Sequence, residues 1–167
     1  MGWCAVETRL FVLKRFVEAL GLELDVQTLD DRKALQKAVY LGQAIGKVDL
    51  GYRFGWYVRG PYSPKLTEDY FAAAEEAEAE TDNQGRGLAP TIVRRLDGVK
   101  KLIAIPPGVE LDQPSWLEAL ASWHFLTSVS KLSDNDAEQT LKQQKPHLYD
   151  YWLHAREALA HVQPDVA

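Results

Sequence analysis

Apolar residues recur at three- and four-residue steps along most of this chain, which is the spacing of helices that bury one face. The first such run ends before Gly21 and consists of Val6, Leu10, Leu13, Val17 and Leu20. A second run, with Leu35, Ala38, Val39 and Ile45 directed inward, is expected to extend to about Gly46. Asp30 or Asp31 can cap its start. The pattern therefore predicts two amphipathic helices in the first 46 residues.

The stretch from Tyr52 to Leu66 changes to a different period. Tyr52, Phe54, Trp56 and Val58 occupy every second position, which is typical of a strand with one buried face. Gly60-Pro61 is expected to end this strand, because proline lacks the N–H that a ladder needs. Ser63-Pro64 is typical of an N-cap followed by the first helical residue. We therefore predict a short β-hairpin or sheet near residues 52–59 and a helix from Pro64 to about Glu80.

Helical spacing returns in the second half of the chain. After a loop predicted at residues 81–87, Ile92, Leu96, Val99 and Ile103 indicate a fourth helix that ends before Pro106. A fifth helix is expected after Asp112 or Gln113, and a sixth after Ser133, which with Asp136 resembles a capping box. The final helix has an apolar stripe of Leu148, Trp152, Ala155, Leu159 and Val162. We expect residues 108–167 to form a helical layer packed on residues 1–107 within a single domain.

Composition narrows the class of protein. The single Cys4 excludes an internal disulfide framework, and the four dispersed histidines lack the spacing of a metal site. Charged residues interrupt the amino-terminal apolar run, so no signal peptide is predicted, and no window is long and apolar enough for a membrane span. We therefore expect a cytoplasmic protein with no cofactor, no metal and no membrane partner.

The net charge of −5 conceals an uneven distribution. Residues 1–65 carry ten basic and seven acidic side chains, whereas residues 66–82 carry seven acidic ones and no basic one. This segmentation argues against non-specific nucleic-acid binding over the whole surface, but it leaves room for one basic face or a charged partner.

Candidate binding residues surround the predicted strand and the turn after it. They are Gln36, Lys37, Trp56, Tyr57, Arg59, Gly60, Pro61, Tyr62, Ser63 and Lys65. Gln36 and Lys37 could brace the Gly60-Pro61 turn or face a ligand. Arg59, Tyr62 and Lys65 could form an anion site at a helix N-terminus, or merely shape the turn. Catalytic residues are not predicted among them.

Two sequence blocks carry a family resemblance. The segment from Arg32 to Leu41 (RKALQKAVYL), followed by Gly60 to Asp69 (GPYSPKLTED), resembles the YwgA-like uncharacterised prokaryotic proteins. More distantly, the blocks are similar to the Panacea (SocA-like) antitoxin domain. The resemblance covers about residues 31–70 and implies a winged-helix-like hairpin on a helical body. The expected fold is therefore mainly α, a helical domain with a short winged-helix-like β-hairpin and a C-terminal helical extension.

The resemblance implies a non-enzymatic regulatory or protein-interaction module, antitoxin-like or adaptor-like and connected with prokaryotic defence or toxin systems. A protein partner is expected. The alternatives are a winged-helix-like DNA-binding regulator that uses Arg53, Arg59 and Lys65, and a ribonuclease in which Arg156 and His161 resemble the Arg-x4-His pattern of HEPN ribonucleases. Five Trp and seven Tyr also raise the hypothesis of a homo-oligomer.

Overall fold

The described residues of the computed structural model, 5–77 and 87–162, form seven α-helices and one two-stranded antiparallel hairpin, so the expected mainly α fold with a short β-hairpin is confirmed. The elements are α1 (Ala5–Ala19), α2 (Leu29–Ala44), β1 (Gly55–Tyr57), β2 (Gly60–Tyr62), α3 (Pro64–Ala77), α4 (Pro90–Ile103), α5 (Gln113–His124), α6 (Asp134–Gln144) and α7 (Trp152–His161). A π-helical turn, Phe125–Val129, extends α5, and a 3₁₀ helix, Pro146–Tyr151, leads into α7.

Helix α5 lies at the centre of the core. Every residue from Trp116 to Trp123 is buried, and the helix packs against α2 on one side and α7 on another. A helix that is buried all round belongs to the middle of a core rather than to an outer layer. One apolar cluster runs from Leu13 in α1 to Ala155 in α7, so the C-terminal helices share the core of the N-terminal ones.

The observed starts of three helices agree with those predicted from the sequence, and the start of one helix differs. Asp112 caps α5 through Ser115 N, Ser133 caps α6 through Asp136 N, and α3 begins at Pro64 as predicted. The cap of α2 is Thr28 rather than Asp30 or Asp31. Asp31 occupies the third helical position and accepts from the backbone N–H of Thr28, which completes a capping box.

The hairpin corrects the predicted strand. Gly55, Trp56 and Tyr57 pair with Tyr62, Pro61 and Gly60, so Gly60-Pro61 belongs to the second strand and does not end the sheet. The chain reverses at Val58-Arg59, and Val58 is 89% exposed although the period-2 pattern directed it inward. The alternation holds only for Tyr52, Phe54 and Trp56, because a reversal places its central side chains beyond the core.

Two further predictions concern the edges of the described regions. Helix α3 follows the predicted course as far as Ala77, whereas its predicted end at Glu80 and most of the loop at 81–87 lie outside the described residues.

Within residues 5–77 and 87–162, no helix combines the length and the apolar character that a membrane span needs.

Candidate protein-interaction site

Gln36 holds the start of α3 against α2. Its Oε1 accepts from Ser63 N at 2.9 Å, and its Nε2 donates to Ser63 O at 3.0 Å and to Thr67 Oγ1 at 2.9 Å. The Thr67 hydroxyl in turn donates to the Tyr62 hydroxyl at 2.8 Å. A buried amide that bonds both the N–H and the C=O of one residue fixes that residue's orientation. Gln36 therefore has the bracing role that the sequence left open.

Two buried lysines hold the hairpin from below. Lys37 Nζ on α2 donates to Pro61 O at 2.8 Å, and Lys145 Nζ, just after α6, donates to Val58 O at 2.6 Å. The two residues are 2% and 0% exposed. Lys145 also lies 5.3 Å from the centre of the Trp56 ring, close enough for a cation–π contact. The backbone of the hairpin is thus fixed at both ends of its reversal.

Glu118 on α5 compensates part of this buried positive charge. Its Oε1 lies 2.9 Å from Lys145 Nζ, and its Oε2 lies 3.2 Å from Lys33 Nζ. The exposed His147 ring lies 3.6 Å from Oε1. Burial by itself raises the pKa of Glu118, but Lys145 and Lys33 outweigh it, so the pKa lies below its usual value. The carboxylate is therefore ionised and bound by two ammonium groups.

Lys37 has no such carboxylate at ion-pair distance among the described residues. Burial lowers its pKa to about 7; Glu118 opposes this shift, while Lys145, Lys33 and Arg59 add to it. The side chain is thus poised between charge states near neutral pH, in a region with more cations than anions.

Gly60 allows the hairpin to approach α5 closely. Its φ of +88° lies in the left-handed region that glycine adopts without strain. A Cβ at this position would lie 2.8 Å from Ser122 Oγ and 3.5 Å from Lys37 Cε. Gly60 and Pro61 are both buried, so these two candidate residues serve the seating of the hairpin.

The other side of the hairpin faces outward. The tip, which we define as Tyr57, Val58 and Arg59, is exposed, with Tyr57 at 50% and Val58 at 89%. The Tyr57 ring packs on that of Tyr62 at 5.1 Å. Trp56 is half-buried and donates from Nε1 to Gln144 Oε1 at 2.9 Å. Arg59 makes no hydrogen bond or ion pair with the residues that the structure describes.

A cleft of about 250 Å³ opens beside the tip, between α2, β2 and α3. We call it the basic cleft, because the described residues that line it include four basic side chains and no acidic one. They are Leu29, Arg32, Lys33, Gln36, Lys37, Arg59, Tyr62, Thr67, Tyr70 and Phe71. Five candidate residues from the sequence, namely Gln36, Lys37, Arg59, Tyr62 and the neighbouring Ser63, thus meet at or next to this cleft.

Lys65 does not join the residues of the basic cleft. Its ammonium group lies 3.1 Å from Glu68 and 3.2 Å from Asp69 on the same helix, and these partners raise its pKa. Asp69 is buried and also accepts from Arg9 and from the Tyr52 hydroxyl, at 3.1 and 2.8 Å. Lys65 therefore contributes to a structural network at the α1–α3 contact, rather than to an anion site with Arg59 and Tyr62.

Sequence reasoning missed Lys33, Glu118 and Lys145. One signal was available, since Glu118 interrupts the apolar run Trp116-Leu117-Glu118-Ala119-Leu120 and an acidic residue inside a buried helix needs partners. The lysines that provide them lie 85 positions before and 27 positions after Glu118 (118 − 33 and 145 − 118). Only the packing of α2 and the end of α6 on α5 brings the three together.

The residues of the ribonuclease hypothesis line separate clefts. Arg156 borders a cleft with Trp123 and His124, and its Nε lies 3.0 Å from Asp134. His161 borders a different cleft with Lys101 and Trp116. The two side chains therefore line different clefts of one chain, and both clefts include Val162. The described residues also contain no group of three or more His, Cys, Asp or Glu side chains arranged to hold a metal ion.

A partly buried histidine should make stability depend on pH. His124 Nδ1 lies 2.7 Å from the Tyr40 hydroxyl, and burial, with smaller effects from Lys47 and Lys131, lowers the pKa of His124 to about 4. The unfolded chain, with a pKa near 6.5, therefore binds this proton more readily than the folded one. The contribution to the free energy of unfolding, at most about 3 kcal/mol, should be complete above the unfolded pKa and lost as pH falls through the folded pKa.

Urea unfolding between pH 4 and pH 7 tests this expectation. His124→Asn should flatten the rise of stability with pH, whereas Tyr40→Phe, which keeps the imidazole buried, should preserve it. An unchanged slope in His124→Asn would contradict the assignment.

No protein-family model, curated protein or solved structure matches this chain. Support for a function therefore comes from the residues of this chain, from their geometry and from the resemblance of residues 31–70 that the sequence carries.

Proposed function

We propose that this protein is a non-enzymatic protein-interaction module, of the antitoxin or adaptor kind, whose contact surface is the hairpin tip. One observation carries the proposal: three buried polar side chains, Gln36, Lys37 and Lys145, hold the backbone around a reversal whose apolar and aromatic side chains remain exposed. Burying two lysines is unfavourable unless they are well bonded. The result is a rigid tip, and a preorganised contact surface loses little entropy on binding.

The charges around the tip indicate what kind of partner fits. Arg59 on the tip and Arg53 just before β1 are both exposed, and Arg53 contacts the exposed Asp49 at 3.5 Å and the carbonyl group of Tyr52 at 3.3 Å. Val58 and Tyr57 supply apolar and aromatic area on the tip beside Arg59, as in the centres of protein interfaces. We therefore expect a protein partner that receives Val58 in an apolar pocket with carboxylates at its rim. The resemblance of residues 31–70 to antitoxin-like families points in the same direction.

A capture experiment tests the tip directly. The tagged protein is incubated with lysate of its native host, with and without nuclease, and bound proteins and nucleic acids are identified. A stoichiometric protein that survives nuclease should be captured by the wild type and lost with Val58→Asp, because a carboxylate would be buried in an apolar pocket and would face the partner's acidic rim. The melting temperature of Val58→Asp should stay close to that of the wild type, since the side chain is 89% exposed.

The matched control is Val93→Asp on α4, which changes another exposed valine far from the tip in sequence. It should retain the captured protein. Equal capture by both variants would refute the assignment of the tip. Recovery of DNA that nuclease removes, with loss in Arg59→Ala and no protein partner, would instead support the DNA-binding regulator, because the exposed Arg53 and Arg59 can contact phosphates.

A further inference from the structure

The basic cleft has an excess of cations that the described protein does not balance. Lys33 is paired with Glu118, but Arg32, Lys37 and Arg59 lie at ion-pair distance from no carboxylate among the described residues. Arg32 donates to the carbonyl groups of Val26 and Gln27, at 2.8 and 3.2 Å, and the nearby Asp31 interacts with its charge without forming an ion pair. The cleft is therefore electrostatically complementary to an anion.

Lys37 makes this more than a basic surface patch. Lys37 is 2% exposed and lines the cleft. Its ammonium group has three N–H donors, of which one is used among the described residues, in the hydrogen bond to Pro61 O. A buried ammonium group with unsatisfied donors is destabilised, as its lowered pKa also indicates. An acceptor carrying negative charge in the cleft would satisfy those donors and compensate the charge.

The walls of the cleft define the rest of the ligand. Leu29 and Phe71 are exposed at its edge, and the rings of Tyr62 and Tyr70 complete a largely apolar lining. Arg32 lies over the Phe71 ring, 6.0 Å from its centre. A space of about 250 Å³ suits a small molecule or one side chain. Apolar walls favour an anion of low charge with an apolar body over a strongly hydrated phosphate.

We infer that the basic cleft binds a monocarboxylate that carries an aromatic or branched aliphatic body. The carboxylate is bound by Lys37 and Arg59, and the body packs against Tyr70 and Phe71. This goes beyond the proposed function, because the cleft lies beside the tip and its ligand does not depend on the tip's partner. The same chemistry is offered by a free carboxylic acid and by the C-terminal residue of a peptide.

Isothermal titration calorimetry and ¹⁵N-resolved NMR of the full chain test the inference with defined probes. 3-Phenylpropionate represents the free acid and N-acetylphenylalanine the end of a peptide; their neutral amides and inorganic phosphate are the comparisons. We expect binding of at least one acid at millimolar concentration or below, amide shifts concentrated on residues of α2, β2 and α3, and binding at least about tenfold weaker for the matching amide. The acid that binds more tightly indicates whether the ligand is a free carboxylic acid or the C-terminal residue of a peptide.

Two variants and one control test which basic side chains bind the carboxylate. Arg59→Gln removes an exposed side chain that has no hydrogen bond or ion pair with the described residues, so it should fold normally and weaken the acid about tenfold. Lys37→Met should abolish the preference for acid over amide if the variant remains folded. Arg94→Gln, which changes an exposed arginine on α4 outside the cleft, should bind as the wild type does. Equal binding of acid and amide, tighter binding of phosphate, or unchanged affinity in Arg59→Gln would overturn the inference.

Discussion

Replacing Glu118 with glutamine is expected to lower the free energy of unfolding by about 3–5 kcal/mol. The substitution preserves the size of the side chain and removes only its negative charge. Glu118 is 2% exposed, and its two carboxylate oxygens bind Lys145 and Lys33 at 2.9 and 3.2 Å. Without it, the fully buried Lys145 would have no carboxylate at ion-pair distance among the described residues, and Lys33 would keep only the exposed Asp30 at 3.6 Å. Breaking one side of a buried ion pair is among the largest effects of a single substitution.

Urea unfolding measures this effect, and the exposed ion pair of Asp134 with Arg156 provides the comparison. Both members of that pair are about half exposed, at 52% and 51%, so Asp134→Asn should change stability by less than about 1 kcal/mol. A double-mutant cycle with Lys145→Met should show that the two losses are not additive, because the second change removes a charge that the first left unpaired. A loss in Glu118→Gln as small as that in Asp134→Asn would contradict the proposed charge balance.

Replacing Gly60 with alanine is expected to destabilise the protein by about 2–5 kcal/mol and to disturb the hairpin tip. Two effects combine. A non-glycine residue at φ of +88° is strained by about 1–2 kcal/mol, and a new Cβ would lie 2.8 Å from Ser122 Oγ. Forcing atoms together in a packed interior adds about 1–3 kcal/mol. The hairpin would have to move away from α5, and the hydrogen bond from Lys37 to Pro61 O would lengthen.

Gly51 allows the two effects to be separated. Its φ of +87° is nearly the same, but a Cβ there meets nothing within 4 Å, so Gly51→Ala should show the backbone strain alone, about 1–2 kcal/mol. Ser122 Oγ is buried and has no hydrogen-bond partner in the described structure, so Ser122→Ala should cost little by itself and should recover part of the loss in Gly60→Ala. Thermal or urea unfolding gives all four values. Equal losses in Gly60→Ala and Gly51→Ala would exclude the steric contact.

The sequence predicted the helices well because their signals are local. Caps such as Asp112 and Ser133 act within one turn, and apolar spacing directs one face inward whatever it packs on. The hairpin was predicted less well. The alternation from Tyr52 continues to Val58, so nothing in the pattern marks the reversal except Gly60, which was interpreted as the end of a strand.

The residues of the candidate site were likewise predicted well where the signal is local and poorly where it is not. Gln36, Lys37, Arg59 and Tyr62 were found from the sequence because they lie in two compact blocks around a turn. Lys65 was grouped with them because it is close in sequence, but the helix turns it toward Asp69. Two residues that are close in sequence can lie on different faces of a helix, and they then contact different neighbouring elements.

The sequence by itself therefore determined the helical class, the starts of α3, α5 and α6, and the presence of a turn near Gly60. Only the tertiary structure decided that Glu118, Lys33 and Lys145 meet beneath that turn, that Val58 faces outward, and that Lys37 lies in a cleft without a carboxylate at ion-pair distance among the described residues. The physical reason is the separation along the chain over which each kind of interaction acts. Capping and periodicity act over a few residues, whereas burial and the balance of charge depend on which distant segments pack together.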